Sequence, residues 1–173
     1  FYFWTILFLI IIYVGILMYA SHPKNWLVPA VSFLAVAILT ISFHLLAYDQ
    51  FFTLTKWYQE SHFNFSAYGN PEFLIPISLI LAVMIWTLLF YVSLIQRSSI
   101  TQRPSFILIL FALFTAIAVA IFSPTKNGSE LIFFFVPLSI IASNYFDSKR
   151  DKFFKEVLLL LLILMPLSIS FLL

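Results

Sequence analysis

Apolar and polar residues do not alternate along this chain; they come in long blocks. Six runs are almost wholly apolar: about 2–20, 27–48, 73–95, 105–123, 131–146 and 157–173. Each is near the roughly 20 residues that a helix needs to cross a hydrocarbon core. The fifth is short and must recruit residues from its flanks. Five polar stretches separate them: "SHPKNW", "DQFFTLTKWYQESHFNFSAYGNPE", "QRSSITQRP", "SPTKNGSE" and "DSKRDKFFKE". The pattern predicts an all-α, polytopic membrane protein. It has six spans in one transmembrane helical domain, plus one short interfacial helix. In "FFTLTKWYQE", Phe51, Leu54 and Tyr58 fall near one helical face and Thr53, Lys56 and Glu60 on the other. That spacing predicts an amphipathic helix lying in the outer interface, with Trp57 and Tyr58 at headgroup depth.

Composition supports this class. The chain is 63% hydrophobic and 9% charged, against about 25% charged in soluble domains. A net charge of +2 gives no reason to expect a nucleic-acid partner. The chain has no cysteine, which removes disulfides and thiolate metal sites. It opens at Phe1 inside an apolar run, without a basic lead-in, which reads as the C-terminal part of a longer chain.

Charge placement sets the expected orientation. Every Lys, Arg, Asp and Glu falls in a connection or at its edge. Alternate connections share a side, and Lys plus Arg divide seven to two between the sides. The positive-inside rule then places Lys24, Arg97, Arg103 and the Lys149–Lys155 connection in the cytoplasm. "DSKRDKFFKE" reads as a mixed, solvated turn that can attract anionic headgroups. Prolines agree with the boundaries. Pro104 precedes its span, and Pro29 and Pro76 are expected in first turns, where a missing N–H costs little. Pro137 and Pro166 lie deeper.

Packing is legible in part. Ala112, Ala116 and Ala120 recur every four residues, a small-residue stripe that lets backbones approach closely. The fourth span is therefore expected at the centre. Ser32, Thr40 and His44 share a face of the second span, and that face is expected to point at protein. His44 is the lone ionisable candidate inside a span, and it sits near the outer end. No carboxylate lies at its depth, which disfavours a proton relay.

Candidate chemistry is thin. Asp49, Glu60, His62 and Glu72 in the long second connection could act as acid or base on a lipid-linked substrate. They form no catalytic motif, and no metal or cofactor set is recognisable. Asn127-Gly128-Ser129 fits the N-glycosylation pattern. The short insert Ser123–Glu130 reads as a tight outer turn. In that reading Ser123-Pro124 stops one helix, Asn127-Gly128 turns the chain and Ser129 caps the next helix.

Three segments carry a resemblance: "NWLVPAVSFLAV", "FSPTKNGSELIFFFVPLSIIASNYF" and "FFKEVLLLLLIL". Together they resemble an integral-membrane family of Bacteroidota, domain-of-unknown-function family 6427, over most of the chain. The resemblance implies an inner-membrane location and further spans upstream. It implies no activity, and no functional residues carry over. The reading that results is a structural or accessory multi-pass subunit of a bacterial inner-membrane envelope complex. Its partners would be the lipid bilayer and other membrane subunits, with a lipid ligand at the outer interface. Trp57, Tyr58, His44, Ala112, Ala116 and Ala120 are the candidate interface or lipid contacts. The alternatives are a membrane enzyme of the polyprenyl-linked glycosyltransferase type, or a transporter.

Overall fold

A computed structural model describes residues 3–19, 22–49, 60, 63, 65–124, 126, 128–148 and 152–172. For Phe3, Ala67, Glu72 and 165–172 it describes the backbone alone. The interfacial helix expected around Trp57 and Tyr58 lies outside the described residues, as do His62 and Asn127.

Among the described residues the fold is helical, with no strand. Six α-helices follow in order: α1 Leu9–Tyr19, α2 Leu27–Tyr48, α3 Pro71–Arg97, α4 Arg103–Phe122, α5 Ile132–Asp147 and α6 Lys152–Leu172. Short 3-10 turns lead into several of them, at Phe3–Phe8, Pro23–Trp26, Ser66–Gly69 and Ser129–Leu131. Among the described residues four helical stretches are long and apolar enough to cross a membrane: Pro23–Tyr48, Phe73–Arg97, Arg103–Phe122 and Ser129–Asp147. The fifth span gains its length from the 3-10 turn ahead of α5. The first is shorter in residues but not in reach. Six 3-10 residues followed by 11 α residues extend about 28 Å, close to the ~30 Å hydrocarbon thickness.

Local sequence explains the boundaries. Pro71 and Pro104 stand at the starts of α3 and α4, where an N–H would be orphaned anyway. The Asn70 carbonyl accepts from the amides of both Phe73 and Leu74. Because α3 begins at Pro71, Pro76 lies inside the helix rather than in its first turn, a correction to the sequence reading. Pro137 lies inside α5, buried, as its position suggested. Asp49 ends α2 with φ of 50°, its amide bonded to the Leu45 carbonyl at 3.0 Å. Asp is among the few side chains that tolerate this left-handed conformation.

The core lies between α3, α4 and α5. Tyr91, Leu113, Ala116, Phe134, Leu138 and Ile141 are buried together. Helices α4 and α5 share the most extensive contact, and α4 also touches α1, α3 and the 3-10 turns Phe3–Phe8 and Ser129–Leu131. The fourth span is thus central. Ala116 is fully buried, whereas Ala112 and Ala120 are half-buried. Hydroxyls within the helices close on their own backbones. Thr87, fully buried, donates to the Val83 carbonyl at 2.8 Å, and Thr115 donates to that of Phe111 at 2.8 Å. This satisfies a donor where water is scarce.

Helix α2 departs from expectation. Pro29 is its single buried residue. Ser32 and Thr40 are exposed and His44 is half-buried, so the polar face is not covered by protein among the described residues. The cause is local. Helix α2 packs mainly against α1 and the 3-10 turn before it, and only lightly, and the Thr40 hydroxyl is satisfied by the Val36 carbonyl at 2.8 Å. The His44 ring lies against Tyr48, centroids 4.9 Å apart.

Candidate functional site

The two ends of the bundle differ in chemistry. One end carries Lys24, Arg97, Arg103, Lys152 and Lys155. There the Tyr19 hydroxyl and Ser105 Oγ, 2.6 Å apart, tie the end of α1 to the start of α4. The opposite end carries the most concentrated polar cluster among the described residues, built from Tyr68, Lys126 and Glu130.

The cluster follows from how α4 turns into α5. The chain leaves α4 at Ser123, and Gly128 adopts φ of 88°. A side chain there would be strained, so glycine is required. Gly128, not Ser129, stands at the cap position, which corrects the capping expectation; Ser129 is the first residue of the following 3-10 turn. That geometry carries Glu130 inward, to 1% exposure. Its Oε1 accepts a hydrogen bond from the Tyr68 hydroxyl. Its Oε2 is buried with no hydrogen-bond partner among the described residues. The site at the start of a helix suits a carboxylate, since the helix dipole presents its positive end there.

Lys126 completes the cluster. Its Nζ donates to the carbonyls of Ala120 at 2.6 Å and Ile121 at 2.8 Å, closing the C-terminus of α4. The same ammonium lies 5.2 Å from the centre of the Phe65 ring. Burial pushes its pKa below the usual lysine value, and the Glu130 carboxylate pulls it partly back up. Aromatic contacts hold the approaching strap, residues 63 and 65–69. Phe63 meets Phe122 edge-on at 6.2 Å, and Tyr68 meets Phe73 at 6.3 Å. Beneath the strap is an apolar pocket of about 150 Å³ between α3, α4 and α5. Phe65 and Tyr68 form its roof, with Ala120, Leu131 and Phe134 among its walls. The insert Ser123–Glu130 is therefore more than a turn, since it also seats a buried carboxylate and a helix-capping lysine.

Cations cap two other helices. Arg103 Nη2 donates to the Gln96 carbonyl near the end of α3, at 3.3 Å. Lys155 is buried, donates to Ser148 Oγ at 2.6 Å, and also donates to the Phe146 and Ser148 carbonyls at the end of α5. Its Nζ lies 5.2 Å from the Tyr145 ring centre. The connection expected to be a solvated charge run thus places one of its lysines inside, because the last carbonyls of α5 need a donor.

The residues singled out from sequence do not converge. Ala116 is in the core, and Ala120 lines the pocket under the strap. His44 is on the peripheral α2, beside Tyr48. Trp57 and Tyr58 lie outside the described residues. Of the candidate acids, Asp49 and Glu60 are exposed. Among the described residues no three His, Asp or Glu side chains group closely enough to hold a metal ion. Sequence reading missed the Tyr68–Glu130 pair, whose members are 62 residues apart. The available signal was local: a lysine five residues past Ile121, then a glutamate opening an apolar run. No curated protein and no solved structure matches the chain. One family model covers residues 2–172, and the chain belongs to that family, DUF6427, a family of unknown function.

Proposed function

We propose that this chain is a structural or accessory multi-pass subunit of a bacterial inner-membrane envelope assembly. The observation that supports it most is α2. This helix of 22 residues buries Pro29 alone, and Leu39 and Leu46 are among its most exposed side chains. A helix packed this lightly against its neighbours offers a long lateral surface to another membrane subunit. Helix association in lipid is driven by close packing and interhelical hydrogen bonds, and α2 presents apolar side chains with Ser32 on the same helix. The buried cation Lys155 and the half-buried Lys126 are engaged by helix ends, which fits a scaffold better than a charged conduit.

A photo-reactive residue placed at Leu39 or Leu46 of the full chain, in its own membranes, tests this. The expected product is a discrete adduct with one membrane protein. Adducts with lipid alone at both positions would contradict it. A second reading, an enzyme acting on a polyprenyl-linked substrate, is favoured by one observation: the buried Glu130 carboxylate, bonded to Tyr68 where that tyrosine roofs an apolar pocket. It requires that Glu130→Gln abolish turnover of such a substrate while the chain remains folded.

A further inference from the structure

We propose that the groove between α1 and α2 is a binding site for an anionic phospholipid, with an acyl chain in the groove and the headgroup at Lys24. The groove is open along one side and has a volume of about 580 Å³, room for a length of acyl chain. Leu9, Ile12 and Ile16 line one wall, and Pro29, Phe33 and Val36 the other. These walls offer hydrocarbon to hydrocarbon.

The polar end of the groove identifies the headgroup. Asn25 lines it there and sits in the 3-10 turn Pro23–Trp26. In the same turn Lys24 is exposed, and His22 just before it is exposed too. The whole connection "SHPKNW" holds no carboxylate, so the ammonium has no acidic neighbour within its own connection. Trp26, partly exposed, places its ring 5.9 Å from that of Tyr13, the amphipathic ring expected at headgroup level. The same end of the bundle carries Arg97 and Lys152, both exposed, beside Asp147 and Glu156, while Arg103 and Lys155 there are taken up by helix-end carbonyls. Basic pockets between spans at such an end select anionic headgroups. A protein side chain could enter the apolar part, but it would leave Lys24 without an anion. A phospholipid satisfies both parts with one molecule.

The experiment uses the full chain in nanodiscs made from equal amounts of phosphatidylglycerol and phosphatidylcholine, and reads co-purifying lipid by native mass spectrometry. The chain should retain phosphatidylglycerol over phosphatidylcholine by about fivefold, the worth of one basic residue near an anionic surface. Lys24→Gln should bring that ratio close to one, and Lys24→Arg should preserve it. Ser32→Phe, which fills the groove from an exposed position, should lower retention of both lipids. Val36→Phe blocks the same groove one turn on and serves if Ser32→Phe does not fold. No preference in the unaltered chain overturns the proposal. So does a ratio unchanged by Lys24→Gln, which would assign the selectivity to the other basic residues, or retention unchanged by the groove-filling variant.

Discussion

Removing the Tyr68 hydroxyl is the sharpest perturbation of the polar end. In Tyr68→Phe the Glu130 carboxylate, at 1% exposure, would lose its Oε1 partner while Oε2 already has none among the described residues. A hydrogen bond to a charged group is worth about 1.5–3 kcal/mol, and leaving the buried partner unsatisfied sets the cost more than the bond itself does. Tyr68 is half-buried, so about 2 kcal/mol is expected. For a chain of this length that corresponds to a fall of roughly 4–8 °C in Tm. The decisive comparison is the double variant Tyr68→Phe/Glu130→Leu, which removes the charge as well as its donor. It should lie within about 1 kcal/mol of the unaltered chain and be more stable than Tyr68→Phe alone. Thermal unfolding of the full chain in detergent, followed by fluorescence-detected size exclusion, measures these together with Glu130→Leu alone. If Tyr68→Phe is neutral, or the double variant loses the sum of the two single losses, the carboxylate is not stabilised in the way described.

Other consequences are open to the same assay. Ala116→Leu forces a larger side chain into the core beside Leu113 and Ile141 and should cost about 1–3 kcal/mol or more, while Ala112→Leu, at a half-buried position, should cost less. Lys155→Met removes the donor at the last carbonyls of α5 and should cost about 1–2 kcal/mol, a loss not recovered by raising salt. Lys126 gives a pH signature. Its folded pKa lies below the usual 10.5 because burial disfavours the charge. Between the two values the unfolded chain binds more protons, so stability should rise with pH across that window. The stability difference between the unaltered chain and Lys126→Met should therefore shift in favour of the lysine as pH climbs toward 10.5; a flat difference would contradict the buried setting.

Much of the helical organisation could be read from apolar run length and proline position. The third span, read as 73–95, is Pro71–Arg97, and the fourth, read as 105–123, is Arg103–Phe122. The Ala112–Ala116–Ala120 stripe pointed to the central helix because small residues permit close approach, and α4 is that helix. The polar face of α2 misled, since a hydroxyl can be satisfied by its own helix, as Thr40 is. The site at the far end was hardly legible. Tyr68 and Glu130 meet through tertiary packing across 62 residues, and no local pattern encodes such a meeting. Basic residues read as orientation signals also cap helices. Their charge is visible in sequence, but the carbonyls they meet depend on where each helix ends.

The central claim, that this chain acts as a scaffold held to another subunit through α2, is tested most directly by extracting the full chain in native-membrane polymer discs and weighing the intact particle. The account predicts a particle containing the chain and one other membrane protein in fixed proportion, dispersed when Leu39 and Leu46 are replaced by Arg. A particle holding a single copy of the chain, surrounded by lipid alone, would contradict it.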